Sequence, residues 1–315
     1  MATSCSRAPA SLALCAATVG WATAPVFIRG FSTIYDPYTQ SLLRYGSAAV
    51  FLLALSLVFY RKDLRTVFCR PRALVAIAAL NVIQQCAWVN ACYLGTATMA
   101  QMISKVSTVF VIAFSFFLFR EERTVIRSPV YLGGTLLSFA GVALVLCKDG
   151  ASLLPQFDAA TWLALFVAAS WAVYTVWCKH LVSDVHPVAM FTVLALYTTL
   201  GFAALSAAFG EPRTLLEASG AITVTAIVSG LVCIAMAHSA YHYAQKHLGS
   251  AFCSSFILLN PLLTNAMALY YWSDERLFPT QWVGAATLLG GTFLVVRARR
   301  EVHQQAPYAD VAPGA

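Results

Sequence analysis

The sequence predicts an all-α membrane protein whose ten transmembrane helices form two inverted five-helix repeats. Three observations favour this fold class. First, 60% of the 315 residues are hydrophobic and 10% are charged, whereas roughly a quarter of the residues of a soluble domain are charged. Second, the chain contains ten apolar stretches long enough to cross a bilayer. Third, a set of marker residues occurs twice along the chain.

The repeat is marked by an aromatic residue, a cation and a proline that stand eight positions apart. The markers are Trp21, Arg29 and Pro37 in the first half, and Trp171, Lys179 and Pro187 in the second. Further matches are Glu122-Arg123 with Glu275-Arg276, and Gly134 and Gly141 with Gly284 and Gly291. So long a period is typical of a duplicated domain rather than a solenoid. We therefore expect one five-helix repeat over residues 1–148, a second over 159–297, and a disordered cytoplasmic tail over 298–315.

Ten apolar stretches follow one another, each within the length that spans a bilayer. They cover residues 11–28, 38–60, 73–94, 97–119, 129–147, 159–180, 187–209, 221–243, 251–272 and 279–296. The first stretch imitates a cleavable signal peptide, but its match to 161–178 inside the chain favours a retained helix. Joins as short as Leu94-Gly95-Thr96 require neighbouring helices to pack as antiparallel hairpins.

Basic residues predict the orientation of these helices, because cytoplasmic loops are enriched in Lys and Arg. With both termini inside, most of the 20 Lys and Arg residues fall on the cytoplasmic side. The net charge of +7 is therefore expected for a membrane protein and does not indicate a nucleic-acid partner. Since each repeat has five helices, the second enters the membrane inverted relative to the first. Secondary transporters often use inverted repeats, with the substrate site between them.

Several short motifs stand in a fixed order along the chain. They are Gly20-Trp21 with a cation eight residues beyond the tryptophan, Arg44 early in the second span, a small-residue turn before the fourth, Asn260-Pro261 in the ninth, and Glu-Arg pairs after the fourth and ninth. Together they resemble the EamA family of the drug/metabolite transporter superfamily, over about residues 11–297. The resemblance implies a secondary transporter and favours export across a bacterial inner membrane.

The fourth helix of the first repeat departs from the pattern of that family. Its members often carry proline in both copies of this helix. Here Thr108 stands where the second copy has Pro261, and Lys105 stands where the second copy has Leu258. If the mechanism of that family depends on a matched pair of proline kinks, this protein is asymmetric.

Lys105 is the strongest candidate for a substrate ligand. A cation that lies eight residues into an apolar span costs roughly 3 kcal/mol unless it faces protein or water. Gln101 and Thr108 fall on the same face of an ideal helix, so the three residues predict a polar stripe that binds a carboxylate or another anion. The alternative is a structural lysine that bonds helix carbonyls or extends its ammonium to the membrane surface.

Other polar and aromatic side chains inside the spans can line the same cavity, or can serve to join helices. These candidates are Arg44, Gln84, Trp88, Trp171, Tyr174, His238, Tyr241, His242, Asn260 and Asn265. His238 and His242 suit proton coupling, because histidine titrates near physiological pH, whereas the carboxylates fall in loops or at span ends. The Glu-Arg pairs are expected to be structural. No third ligand accompanies the two histidines in sequence, so we predict neither a metal nor a cofactor.

These features predict a non-ATP secondary transporter that exports a small metabolite, such as an amino acid or organic anion, by alternating access around a central cavity. A multidrug or cationic-compound efflux permease of the same fold is the alternative, since the aromatic residues also suit an apolar cation. An intramembrane enzyme would need nucleophile or metal motifs, and a channel would need a filter; neither is visible. We expect no enzymatic activity, a small-molecule substrate, the lipid bilayer as surroundings, no nucleic acid, and a monomer or homodimer.

Overall fold

The computed structural model of the chain describes residues 7–118, 128–147, 156–181, 185–248, 253 and 256–309. These residues form helices and turns and contain no strand. The α-helices are α1 (Arg7–Gly30), α2 (Pro37–Phe59), α3 (Arg61–Phe68), α4 (Pro71–Leu94), α5 (Ala97–Ser104), α6 (Ser107–Leu118), α7 (Pro129–Val145), α8 (Ala159–Leu181), α9 (Pro187–Phe209), α10 (Thr214–Glu217), α11 (Gly220–Gly230), α12 (Ala237–Leu248), α13 (Asn260–Tyr271) and α14 (Pro279–Ala309).

Five helical segments of the described chain are long and apolar enough to cross a membrane. They are Ala8–Gly30, Pro37–Phe59, Pro71–Leu94, Pro187–Phe209 and Gly220–Ala244. Two shorter apolar helices cover Pro129–Val145 and Ala159–Thr175. Over the described residues the prediction of an all-helical chain is thereby confirmed, and the apolar segments support a multi-pass membrane protein. A π-helical turn over Leu231–Met236 joins α11 to α12, so the fifth segment is one continuous rod.

The repeated prolines lie at the first turn of their helices, where a missing N–H is harmless. Pro37 begins α2 behind the N-cap residue Asp36, whose carboxylate accepts the backbone N–H groups of Tyr38 at 2.9 Å and Thr39 at 3.0 Å. Pro187 begins α9 behind His186, which is the N-cap residue there. The prolines of the repeat are therefore helix-start residues.

Helices α2 and α9, which occupy equivalent places in the two halves, pack along one another. Thr39 Oγ1 and Ser206 Oγ lie 2.7 Å apart near one end of the pair. Ser56 Oγ and Thr192 Oγ1 lie 2.7 Å apart near the other end. The low residue numbers of one helix meet the high numbers of the other, so the two run antiparallel.

Helices α7 and α14, also equivalent in the two halves, meet through the repeated glycines. A methyl group on Gly134 would lie 2.7 Å from the Gly291 carbonyl oxygen, and one on Gly291 would lie 2.6 Å from the Gly134 oxygen. A methyl group on Gly141 would lie 2.3 Å from Leu288 N, and one on Gly284 would lie 2.9 Å from the Gly141 oxygen. The backbones of this second antiparallel pair are therefore in direct contact.

The fourth helix is interrupted in both halves. In the first half α5 ends at Ser104, and the amides of Lys105 and Val106 bond three residues back, to Met102 at 3.0 Å and Ile103 at 3.1 Å. In the second half a 3₁₀ turn, Ile257–Leu259, precedes α13. 3₁₀ bonding therefore interrupts the first copy without a proline, whereas the second copy carries Pro261 just after its 3₁₀ turn.

Helix α14 continues to Ala309. Its last turns lie in segment 298–315, and the disordered tail expected for that segment stays a prediction. Residues 310–315 lie outside the described chain, as do Glu122 and Arg123 of the first Glu-Arg pair.

Candidate functional site

His238 lies at the centre of an aromatic cluster that four helices supply. Its ring stacks on Phe191 of α9 with centroids 4.4 Å apart and an interplanar angle of 11°. Trp21 of α1 meets it edge-on at 5.0 Å, and Trp171 of α8 lies at 6.4 Å. Tyr174 extends the cluster, 5.4 Å from Trp171. Trp21 and Trp171 are the repeated tryptophans, so both halves of the chain contribute to one cluster.

The backbone before His238 determines which ring nitrogen holds a proton. His238 Nδ1 lies 2.9 Å from the carbonyl oxygen of Ile234, within the π-helical turn. A carbonyl oxygen is an acceptor, so Nδ1 donates, and Nε2 of the neutral ring is left as an acceptor. Tyr241, one turn further, packs on Trp21 at 4.8 Å and on His242 at 6.1 Å. The predicted residues of α12 therefore do lie together.

Gln101 connects the buried helix α5 to this cluster. The side chain is 4% exposed, and its Nε2 donates to the backbone oxygen of Trp21 at 3.5 Å. Every residue from Ala97 to Ile103 is buried. Helix α5 therefore lies in the interior of the protein, against α1, α8 and α13.

Lys105 lies at the turn where α5 ends and is partly buried. Among the residues that the structure describes, none forms an ion pair or hydrogen bond with its ammonium group. Gln101 belongs to α5 and Thr108 to α6. The single continuous helix face predicted for the three residues is therefore not present, because the 3₁₀ turn separates the two helices.

Two further predicted residues are buried amides with an unpaired oxygen. Gln84 of α4 is 2% exposed and Asn260 at the start of α13 is 1% exposed. In the described chain, Gln84 Oε1 and Asn260 Oδ1 have no hydrogen-bond partner. An unpaired buried carbonyl oxygen loses its hydration without compensation, so both positions suit a donor supplied by a ligand or water.

Arg44, Trp88 and Asn265 have structural contacts. Arg44 of α2 is 4% exposed, and its Nε donates to Ser229 Oγ of α11 at 3.0 Å. Trp88 packs against the apolar core between α4, α5 and α8. Asn265 donates to Thr98 Oγ1 at 3.2 Å and to the backbone oxygen of Glu275 at 2.9 Å.

The structure also adds residues that the sequence did not place in the site. Trp21 served only as a marker of the repeat, and Phe191 carried no signal beyond its position in an apolar span. The sequence offered a hint for Trp21, because Trp171, its equivalent in the second repeat, was already a candidate. Phe191 is identified only by its ring contact with His238.

Two cavities lie outside this cluster. One, of about 700 Å³, lies between α1, α11 and α13 and has a mainly apolar lining that includes Phe27, Phe31 and Tyr270. The other, of about 400 Å³, lies at the joins α4–α5 and α13–α14 and reaches from Arg276 to Ile103. Neither is lined by a predicted substrate-binding residue.

Known proteins resemble the chain over nearly its whole length. The EamA-like transporter family matches residues 8–147 and again residues 159–297. An uncharacterized transporter of Archaeoglobus fulgidus is 27% identical over 291 residues, which cover 86% of this chain and 91% of the relative. One protein of known crystal structure, 16% identical, superposes with a TM-score of 0.66 over 94% of this chain and 99% of its own.

The two family matches coincide with the two sets of marker residues, and the superposition independently supports the fold. The described helices include several that are apolar and long enough to cross a membrane. The chain therefore belongs to the EamA-like transporter family and is a multi-pass membrane transporter.

Proposed function

We propose that this transporter moves a small amino acid or organic anion through a site formed by Lys105 and the aromatic cluster around His238. One observation carries the proposal: Lys105 ends a helix whose first seven residues are buried, and the described chain supplies no anion for it. A cation inside a membrane protein is costly unless paired or hydrated. A substrate carboxylate is a partner that is present only while the site is occupied.

The aromatic cluster and two buried amides suit the remainder of such a substrate. The rings of Trp21, Trp171 and His238 offer apolar faces and edges for a side chain. The unpaired oxygens of Gln84 and Asn260 are acceptors that suit an ammonium or hydroxyl group. An amino acid has all three kinds of group, and an organic acid has two of them.

The helix packing supports alternating access by two inverted repeats. Equivalent helices that pack across a two-fold axis in the membrane plane must run antiparallel, and α2 with α9 and α7 with α14 do so. The glycine contacts are also reciprocal, as at an isologous interface. If α5 with α6, and the 3₁₀ turn with α13, each count as one broken span, the chain has ten spans. Broken spans near the centre are typical binding-site elements of secondary transporters.

The proposal includes the setting of the transporter. We propose export across a bacterial inner membrane, with both termini cytoplasmic, by a monomer or homodimer without enzymatic activity. The distribution of basic residues supports the orientation. In this orientation the joins α1–α2, α4–α5 and α13–α14 lie on the outer face.

The second candidate function is efflux of apolar cations. Four aromatic side chains around one histidine favour it, since aromatic faces attract cations. The positive charge of Lys105 opposes it. The two candidates differ in which solutes bind and in whether Lys105 is needed.

Thermal unfolding of the detergent-purified protein separates these candidates. A bound solute raises the midpoint according to its concentration relative to Kd. We expect amino acids or organic acids at millimolar concentration to stabilise the wild type and to lose this effect in Lys105→Met. Leu258→Met, at the equivalent position, is the matched control and should respond like the wild type. Stabilisation of both variants by quaternary amines alone would favour the second candidate instead.

A further inference from the structure

A cluster of charges connects three joins on the predicted outer face. Arg29, at the end of α1, donates to the carboxylates of Asp274 and Glu275, which lie 245 and 246 positions later in the 3₁₀ turn after α13. The guanidinium also lies over the ring of Trp272, 4.9 Å from its centroid. The Glu275 side chain is 0% exposed, whereas that of Asp274 is 59% exposed. Glu275 is therefore the buried partner of Arg29.

The same Glu275 carboxylate holds the start of α5. It accepts the backbone N–H of Ala97 at 2.7 Å through Oε1 and that of Thr98 at 3.0 Å through Oε2. A carboxylate at a helix N-terminus is favoured by the helix dipole. One buried anion thus joins α1, α5 and the turn before α14, and we call the Arg29 and Glu275 pair with these two amides the clasp.

The clasp and Lys105 lie at opposite ends of α5. Helix α5 begins at the clasp and ends beside Lys105, about 12 Å further at 1.5 Å per residue. The cavity of about 400 Å³ is lined by Arg29 and Asp274 at one end and by Ile103 at the other. Ile103 is two residues before Lys105 and is 1% exposed. Release of the clasp would free the first turn of α5 from α1 and extend this cavity inward.

We propose that Glu275 is a positioning residue of the transport cycle, which closes the outer face by holding α5 against α1 and must release Arg29 when that face opens. This proposal rests on the proposed function for its role in transport. A charged hydrogen-bonded group that satisfies two amides and a guanidinium is strong enough to hold one conformation. These hydrogen bonds are either formed or broken, so their loss gives a second conformation of the outer face rather than a gradual deformation.

Two native cysteines provide a readout that needs no substrate. Cys92 of α4 is 0% exposed. Its neighbours Ala91 and Tyr93 line the cavity beside the clasp. Cys233, in the π-helical turn, is 2% exposed and serves as the internal control.

The experiment measures labelling of Cys92 and Cys233 by a small water-soluble maleimide, quantified by mass spectrometry on the full-length protein in detergent. In Glu275→Gln we expect the Cys92 rate to rise about tenfold or more, while the Cys233 rate stays within about twofold of wild type. Asp274→Asn is the matched control, because it removes only the exposed partner of Arg29, and its Cys92 rate should stay near that of wild type. Arg29→Gln, which leaves Glu275 on α5, is the second variant if Glu275→Gln does not fold.

Unchanged Cys92 labelling in a folded Glu275→Gln or Arg29→Gln variant would overturn the proposal. Equal increases at Cys92 and Cys233 would also overturn it, because they indicate general loosening and a purely structural role. The outcome is independent of the thermal-shift result. If Lys105→Met loses solute binding but Glu275→Gln leaves Cys92 labelling unchanged, only the role of the clasp is rejected. If Glu275→Gln raises Cys92 labelling but Lys105→Met binds solutes like the wild type, only the proposed function is rejected.

Discussion

The two halves of the molecule interrupt their fourth helix at equivalent positions by different means. The first half uses 3₁₀ bonds at Lys105 and Val106 and has no proline. The second half uses the turn Ile257–Leu259 followed by Asn260-Pro261. The backbone break is thus common to both halves, whereas the side chains at the break are not. The break in the fourth helix is present in both repeats, whereas the positive charge of Lys105 is present only in the first.

This difference distinguishes the helix break, which belongs to the fold of both halves, from the charge of Lys105, which belongs to the proposed binding site. A break without proline shows that tertiary packing is sufficient to interrupt a buried helix. Leu258, which is 6% exposed, occupies the place that Lys105 has in the first half. A site built on Lys105 is therefore polar on one side of the approximate symmetry and apolar on the other. The following predictions test this separation.

The largest expected effect comes from placing a second lysine at the break. Leu258→Lys should lower the free energy of unfolding by about 3 kcal/mol, since it buries a cation where no pocket has been prepared. Lys105→Met should leave stability unchanged or raise it. Thermal midpoints of both variants in detergent check the pair. Equal tolerance of lysine at both positions would contradict an asymmetric site.

Substitution of the glycines between α7 and α14 should affect the two halves alike. Gly141→Ala and Gly291→Ala each place a methyl group within 2.5 Å of a backbone nitrogen. Forced separation of packed helices costs roughly 1–3 kcal/mol. Gly133→Ala is the control, because nothing lies within 4 Å of its added methyl group. A large difference between the first two midpoints would show that the contact is not equivalent in the two halves.

Removal of the N-cap of α2 should have a smaller effect that depends on pH. Burial raises the pKa of Asp36, but hydrogen bonds from Thr39, Glu211 and Tyr38 outweigh it, and the net pKa is lowered. Asp36→Ala should cost about 1 kcal/mol. Because the folded-state pKa is depressed, this stabilisation is complete above the ordinary aspartate pKa of about 3.9 and is lost as the pH falls through the depressed value.

Unfolding midpoints of wild type and Asp36→Ala between pH 3 and pH 7 check that prediction. The difference should be constant above about pH 5 and should shrink in more acidic buffer. The equivalent cap in the second half is His186, which has no carboxylate. A difference that grows with acid would contradict the role assigned to Asp36.

The smallest expected effect is that of the proline itself. Pro261 lies in the first turn of α13, where its missing N–H costs nothing. Pro261→Ala should therefore lose only the entropic benefit of proline, about 0.5 kcal/mol. The thermal unfolding midpoint of the variant measures this loss of stability, and solutes should still raise that midpoint. Loss of solute binding in this variant would show that the second break depends on proline, unlike the first.

Much of the fold was predictable from the sequence, because short stretches of residues are sufficient to identify the apolar spans and the markers of the repeat. The apolar stretches follow from runs of hydrophobic residues and the repeat from the spacing of its markers, while the family was identified by the resemblance of its short motifs. The break at Lys105 was not predictable in this way, since no proline or glycine marks it. A continuous ideal helix was assumed there, and the 3₁₀ turn divides it.

The residue types of the candidate site could be chosen from the sequence, but their contacts could not. His238 and Trp171 were identified as polar and aromatic residues within spans. The partner of Glu275 was missed, because Arg276 is adjacent in sequence whereas Arg29 lies 246 positions away. The predicted location of Arg29 and Glu275 on the same membrane face was the available signal. Long-range pairing of this kind requires the three-dimensional packing of α1 against α13.

The contact between α7 and α14 limits how these helices can change by mutation. A clash in an ordinary core is often relieved when the neighbouring side chain becomes smaller. Here the atom nearest to a methyl group on Gly134 would be the Gly291 oxygen, and the atoms nearest to one on Gly291 would be the backbone nitrogen of Ser138 and the Gly134 oxygen. Neither position has a side chain left to shorten. A larger residue on one helix therefore has no compensating substitution on the other.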